Sequence, residues 1–248
     1  MARPTAFVTG ASYGVGRATA TALARAGFDV AISATRAENV ADTAAELEQL
    51  GARSISVVLD LRSHADIERS LSAVLGAFGG LDVLVNNAGA TLTGAAVDVT
   101  PADWDTVIAT NVTGTFFLSQ QFGRHLIAGG RPGCVVNVAS THGIVGAAGR
   151  STYGISKAAI IHMTRMLAIE WAEHGIRVNA VAPGRLDTPS PSRAGSDPKY
   201  MQAMLARIPL HRLATVEEVA HAICYLASPQ AASVTGHTIV LDGGLTAA

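Results

Sequence analysis

Tyr153 and Lys157 stand four residues apart, a spacing that puts both side chains on one face of a helix. A phenol beside an ammonium is suited to moving protons. A free phenol titrates near ~10 and is a poor acid or base at neutral pH. Lowering that value to ~8 takes about 2.7 kcal/mol of preference for the phenolate. An ammonium ~4 Å away would supply about 4 kcal/mol at an effective dielectric of about 20. Ser140, thirteen residues before Tyr153 at the end of an apolar run, can hold a substrate oxygen by a hydrogen bond. Such a Tyr–Lys pair arises by chance in many helices, so its meaning depends on its surroundings.

A second chemical feature lies near the start. The apolar run Ala6-Phe7-Val8 leads into Thr9-Gly10-Ala11-Ser12-Tyr13-Gly14-Val15-Gly16 and then a helical pattern. Glycines there allow a tight turn and a close backbone approach to a pyrophosphate, and the helix N-terminus favours its charge. A purely structural turn is the other reading. The second apolar run ends in Ala34-Thr35-Arg36, with no acid to accept from an adenosine ribose. A basic residue there suits a 2′-phosphate, so Arg36 points to NADP(H), with NAD(H) possible, unless it is a solvated helix-entry charge. Asp60 could meet an adenine edge or cap the next turn.

These groups need a scaffold, and the chain alternates short apolar runs with helical patterns throughout. Strands are expected at Ala6–Thr9, Asp29–Ala34, Ser54–Leu59, Val83–Asn86, Cys134–Val138, Arg177–Val181 and Thr238–Leu241. They lack polar alternation, as strands covered on both faces do. Helices are expected at Gly16–Ala26, Asn39–Leu50, Ser63–Phe78, Ala102–Leu126, Thr152–Glu173 and Val216–Ala227. Right-handed crossovers then give an α/β, doubly wound, mostly seven-stranded parallel sheet of Rossmann-like type, one domain over residues 1–248. Residues 188–209, rich in Pro, Ser and Gly before a helical piece near Tyr200–Ala206, break the rhythm. A connection this long reads as a substrate lid or a passive surface excursion.

Composition excludes several alternatives. The 248 residues are 49% hydrophobic and 15% charged, with a net charge of −1, which argues against a nucleic-acid surface. The eight histidines show no metal-ligand spacing, so no metal is expected. No stretch approaches the ~20 apolar residues of a membrane span, and the first apolar run is too short for a signal peptide. Cys134 and Cys224 both lie in apolar segments and are expected to be buried, reduced thiols. A cytoplasmic location is the expectation.

The motifs Thr9–Gly16, Asn86-Asn87-Ala88-Gly89, Asn111, Ser140, Tyr153 with Lys157, Val178–Gly184, Thr188 and Asp242-Gly243-Gly244 follow one another at fixed intervals. In that order and spacing the chain resembles the short-chain dehydrogenase/reductase family over nearly its whole length. The resemblance implies hydride transfer between a nicotinamide dinucleotide and an alcohol or carbonyl substrate. It implies Tyr153 as general acid/base, Lys157 as the group that lowers its pKa and binds the nicotinamide ribose, Ser140 as the substrate-orienting hydroxyl, and Asn111 as holder of a relay water. Cofactor contacts are implied for Gly10, Ser12, Tyr13, Gly14, Val15 and Gly16. They are also implied for Asp60, Leu61, Asn87, Ala88 and Gly89, with Thr35 and Arg36 at the ribose. On the other side stand Pro183, Gly184, Leu186 and Thr188. Asn86, Gly243 and Gly244 are expected to be structural. A homotetramer is implied as well.

Two departures from the family stand out. Tyr13 occupies a loop position that is basic in many NADP-using members, and Arg185 follows Pro183-Gly184 where many relatives are apolar or aromatic. A nucleotide-sensing protein that had lost the chemistry would not need Ser140, Tyr153, Lys157 and Asn111 together. Among substrates, a 3-oxoacyl thioester competes with a sugar acid, polyol or small ketone. Carrier-protein docking would use basic residues at the mouth, a role open to Arg131, whereas His174 stands where a firmer charge is expected. His142, Arg150 and Arg185 converge on the same side and suggest an anionic or strongly polar substrate group. They could instead face solvent, cofactor phosphates or a neighbouring subunit, or, for His142, cap a turn.

Overall fold

A computed structural model describes residues 3–186 and 198–248. Seven strands form one sheet: β1 (Thr5–Val8), β2 (Asp29–Ala34), β3 (Ser54–Val58), β4 (Val83–Asn86), β5 (Gly133–Val138), β6 (Ile176–Pro183) and β7 (Thr238–Leu241). Their order is β3-β2-β1-β4-β5-β6-β7, and every neighbouring pair is parallel. The order reverses between β1 and β4, which opens a crevice at the carboxyl ends of those strands.

Adjacent residues of a strand feed opposite cores. Ala6 and Val8 face α1 (Gly14–Arg25), α2 (Ala41–Gln49) and α8 (Val216–Ala227), packing with Leu23, Leu47, Val219 and Ile223. Phe7, between them, faces α3 (His64–Phe78), α5 (Thr115–Ala128) and α6 (Ser151–Trp171), with Leu71, Phe122 and Leu167. Both faces are apolar, which is why the strands show no polar alternation. Thr215 starts α8 with a capping box: its hydroxyl accepts from Glu218 N, and the Glu218 carboxylate accepts from Thr215 N.

The helix expected from Ala102 to Leu126 is interrupted. α4 (Pro101–Ile108) gives way to a π-helical turn, Ala109–Gly114, before α5 begins. Gly114 lies against the Leu61 carbonyl, where a Cβ would overlap that oxygen. The expected helix at residues 39–50 also opens with a 3-10 turn, Ala37–Val40. Of the segment read as a lid, residues 188–197, Thr188 included, lie outside the described residues. Its last part contains α7 (Pro198–Leu205), and Leu186 bridges to Ala214 beyond it. Cys134 is buried and Cys224 half-buried, each with its thiol pushed up to about 11 by burial, and both are free. Among the described residues, no helix is long and apolar enough to cross a membrane.

Candidate active site

The glycine loop is held mainly by its own backbone and by Thr9 and Asn87. The buried Thr9 hydroxyl accepts from Asn87 N and Ala88 N, both at 3.0 Å, and donates to Val85 O. Asn87 Nδ2 returns two bonds, to the carbonyls of Thr9 and Gly10 at 2.9 Å. Gly10 and Gly14 adopt left-handed φ values of 65° and 59°. Gly16 lies so close to the Gly10 carbonyl that a Cβ would overlap it. No side chain caps α1, and its first turn carries no acid. The helix therefore presents amides and a partial positive charge to the crevice.

Two connected cavities open there. One, of about 610 Å³, runs from Ser12–Gly16 past Ser33, Ala34, Thr35 and Asn39 to Asp60–Arg62 and Asn87–Ala90. The other, of about 230 Å³, is lined by Ser140, Tyr153, Lys157, Pro183, Gly184 and Leu186. Both share Val15, Asn87, Gly89 and Ala90, so together they form one elongated trough. Its glycine floor, its helix N-terminus and its length fit an extended dinucleotide, with the adenosine toward Asp60 and the nicotinamide toward Tyr153.

Most of the expected cofactor residues meet in this trough, but Arg36 does not. Its side chain is exposed and lies outside the cavity wall, whereas Asn39 and Arg62 line it. Asp60 has the capping arrangement: its Oδ1 accepts from Arg62 N at 2.9 Å, and both carboxylate oxygens accept from the Arg62 guanidinium. The guanidinium holds that carboxyl below the usual carboxylate range. Arg62 was missed by sequence reasoning, as were Asn39 and Thr91. The signal available for Arg62 was its place two residues beyond Asp60, at a strand's carboxyl end. Tyr13 is 79% exposed, its side chain turned outward at the rim of the trough.

At the other end, Ser140 follows β5 and begins a 3-10 turn, Thr141–Gly143, its Oγ accepting from His142 N at 3.2 Å. It faces the first turns of α6, which carry Tyr153 and Lys157. Lys157 Nζ lies 5.7 Å from the Tyr153 ring centre and donates to Val138 O at 2.7 Å. Burial pushes the Lys157 ammonium down to about 8. Burial also raises the Tyr153 phenol above its ordinary value, opposed by the Ser140 hydroxyl and then by the Arg150 charge. At Tyr153 desolvation therefore outweighs the hydrogen bond and the nearby charge.

The Asn111 amide is largely committed within the fold. Its Nδ2 donates to Ala90 O and Ser156 Oγ, both at 2.9 Å, and its Oδ1 accepts from Ala90 N at 2.7 Å. The π-helical turn is what carries it inward, beneath the loop that follows β4. Asn86 is structural, as expected, bonding Ser119 Oγ and Asn137 Oδ1 at 2.8 Å inside the sheet. Gly243 and Gly244 have φ values of 66° and 93° in the turn after β7, where Asp242 accepts from Gly244 N and Thr246 N.

Of the residues expected to mark the substrate end, Arg150 bonds Thr91 Oγ1 at 3.1 Å, and Thr91 lines the smaller cavity. His142 packs edge-on against the Tyr153 ring at 6.1 Å, and burial, then Arg150, lowers its pKa. Arg185 follows directly on the Pro183-Gly184 wall. Arg131 is placed elsewhere. It bonds Asp82 Oδ1 at 2.7 Å, just before β4 begins, at the opposite end of the strands from Ser140. His174 lies beyond α6 at that same end, beside Glu173.

Comparison with known proteins agrees with this geometry. The family model described as enoyl-(acyl carrier protein) reductase matches residues 10–246. The chain is 40% identical to the 3-oxoacyl-[acyl-carrier-protein] reductase FabG of Thermotoga maritima, covering 96% of each chain. It is 42% identical to the cis-4-hydroxycyclohexanecarboxylate dehydrogenase of Sinomonas cyclohexanicum, over 98% of this chain and 96% of the other. A solved structure from Agrobacterium tumefaciens with bound NADP superimposes with a TM-score of 0.90 at 35% identity, covering 99% of this chain and 97% of that one.

Proposed function

This chain belongs to the short-chain dehydrogenase/reductase family and is an NAD(P)-dependent oxidoreductase acting between CH–OH and carbonyl groups; from that premise we propose that Tyr153 is its general acid/base and NADP(H) its preferred cofactor. The observation that carries the reading is one cavity holding Ser140, Tyr153 and Lys157, continuous with the glycine-floored trough.

The dinucleotide, when bound, supplies the hydride acceptor or donor at the substrate carbon. The protein handles the proton and the oxygen. In oxidation, the Tyr153 phenolate takes the hydroxyl proton as the carbinol hydrogen leaves with its electron pair; in reduction, the phenol returns that proton to the new alkoxide. Ser140 Oγ donates to the substrate oxygen and keeps it against the phenol. Burial lowers the Lys157 pKa to about 8, so its ammonium gives up a proton more readily than a free lysine does. Three of the four hydrogen-bonding positions of the Asn111 amide are taken by Ala90 and Ser156, which leaves one Oδ1 lone pair for a relay water.

The NADP(H) reading rests on the end of β2, where Ala34-Thr35-Arg36 offers no carboxylate to a ribose. The two relatives named above act on a 3-oxoacyl group and on a ring alcohol bearing a carboxylate. Both are secondary alcohol–ketone pairs, and the substrate of this chain is assigned to that class. The test is Tyr153→Phe. We expect turnover to fall about 10²- to 10⁴-fold while cofactor affinity, measured by calorimetry, stays within about threefold. Retention of more than about a tenth of the activity would overturn the assignment.

A further inference from the structure

Among the described residues, Arg150 stands apart from six salt-bridged arginines only in lacking a carboxylate partner, and from the exposed ones in its place beside the catalytic cavity. Arg3, Arg17, Arg62, Arg69, Arg131 and Arg212 each grip an Asp or Glu at 3.1 Å or less. Arg150 bonds only the Thr91 hydroxyl, at 3.1 Å, and among the described residues no carboxylate pairs with it. One bond leaves most of its five N–H donors open. The position is also built. Gly149, with φ 72°, turns the chain into α6, and its carbonyl accepts from Gly94 N at 3.1 Å. Arg150 N donates to Ala147 O, and Arg150 O accepts from Gly154 N at 2.7 Å. Two loops thus fix the Arg150 main chain one helical turn before Tyr153, and the Thr91 hydroxyl holds its half-buried side chain.

We propose that Arg150, which does not itself line the cavity but is steadied by Thr91 of its wall, is a carboxylate-binding subsite beside the catalytic cavity, and that the substrate is a hydroxy acid or oxo acid. This rests on the Tyr153 reading and narrows its substrate class. Among the described residues that line the cavity none is acidic. Lys157 is turned inward onto Val138 O and does not compete for that anion. The Arg150 charge is felt at both Tyr153 and His142, which places the guanidinium close to the reacting end. Burial, then the Arg150 charge, lowers the His142 pKa, so His142 gives up its positive charge more readily than a free imidazole. A planar guanidinium that is already partly dehydrated pairs well with a carboxylate.

The test compares 4-oxopentanoate and 4-oxocyclohexanecarboxylate with their methyl esters, using kcat/KM on the full protein with NADPH. The expected advantage of acid over ester is roughly 10- to 100-fold for at least one pair. It should collapse toward one in Arg150→Gln, survive in part in Arg150→Lys, and shrink about threefold in Thr91→Val. Binding of the unreactive cyclohexanecarboxylate, measured by calorimetry against cyclohexanecarboxamide, gives a readout independent of turnover. Esters reduced as well as acids, an acid advantage untouched in Arg150→Gln, or equal binding of carboxylate and carboxamide would each overturn the subsite. No reduction of any ketone, with cyclohexanecarboxylate still bound through Arg150, would instead count against the Tyr153 reading alone.

Discussion

At the carboxyl ends of β1 and β2, the trough wall includes Gly10, Ser12, Gly14, Gly16, Ser33 and Ala34, residues with little or no side chain, beside Tyr13, Val15, Thr35 and Asn39. At the ends of β4 and β5, and on α6 above them, the wall rests on buried polar side chains bonded to one another. Asn86 ties β4 to α5 through Ser119 and to β5 through Asn137, which in turn bonds Thr164 of α6. Asn111 ties the π-helical turn to Ala90 and, through Ser156, to the carbonyl of Tyr153. The first region offers space and main-chain N–H groups, as an anionic ligand bound along its length requires. The second offers side chains that cannot move, as acid–base chemistry requires. It follows that the nucleotide region should fail when atoms are added, and the catalytic region when they are exchanged.

The largest expected effect is at Lys157, where catalysis and stability pull apart. Its ammonium is charged below about 8 in the folded state and below 10.5 in the unfolded chain. Below pH 8 both states are charged, and folding bears the whole desolvation cost. Between pH 8 and 10.5 the folded protein loses its proton first, so the native enzyme gains stability as pH rises. Lys157→Met removes that cost, about 3 kcal/mol, less about 1 kcal/mol for the bond to Val138 O. Denaturant melts should show the variant more stable at pH 7, the advantage fading toward pH 10.5, with turnover lost. A variant less stable than the native protein at pH 7 would mean that the Val138 bond outweighs burial.

Gly16→Ala probes the other region. The new methyl must displace the Gly10 carbonyl or the Asn87 amide, and overpacking of this kind costs about 1–3 kcal/mol. We expect NADP(H) affinity to fall by roughly 30-fold with Tyr153 left in place. Calorimetric binding within threefold of the native protein would show that the loop yields easily, and the contrast between the regions would fail.

The same contrast explains what could be read from the sequence. Asp29–Ala34, Val83–Asn86 and Thr238–Leu241 are strands at the expected boundaries, because an unbroken apolar run between turns leaves little choice in a doubly covered sheet. Tyr153, Lys157 and Ser140 meet because a helix face and a strand end are set by local geometry. The π-helical turn was not legible: it follows from Gly114 meeting Leu61 and Asn111 meeting Ala90, contacts between distant segments. Loop side chains were hardest. Arg131 lies at the wrong end of the strands for a docking role, and Thr91 and Arg62 reach the cavities through turns without a fixed period. The Lys157 ammonium shows a further limit, since spacing brings two side chains together without deciding which acceptor a flexible one chooses.

The smallest expected effect concerns Arg36, the residue on which the proposed NADP(H) preference rests although its side chain stands outside the cavity wall. An exposed arginine must give up rotamer freedom to reach a 2′-phosphate, so its contact is worth less than a preorganised one. Arg62, by contrast, is held by Asp60 inside the wall and has no such freedom to recruit a new partner. Arg36→Ala should therefore lower kcat/KM with NADP(H) by roughly five- to tenfold and change NAD(H) less than about twofold. Arg62→Ala should weaken both cofactors alike, since the adenosine end is common to them. Equal or better kcat/KM with NAD(H) in the native protein would remove the preference itself. An Arg36→Ala variant that lost both cofactors equally would move the discriminating contact elsewhere on the rim, with the outward-facing Tyr13 the next position to substitute.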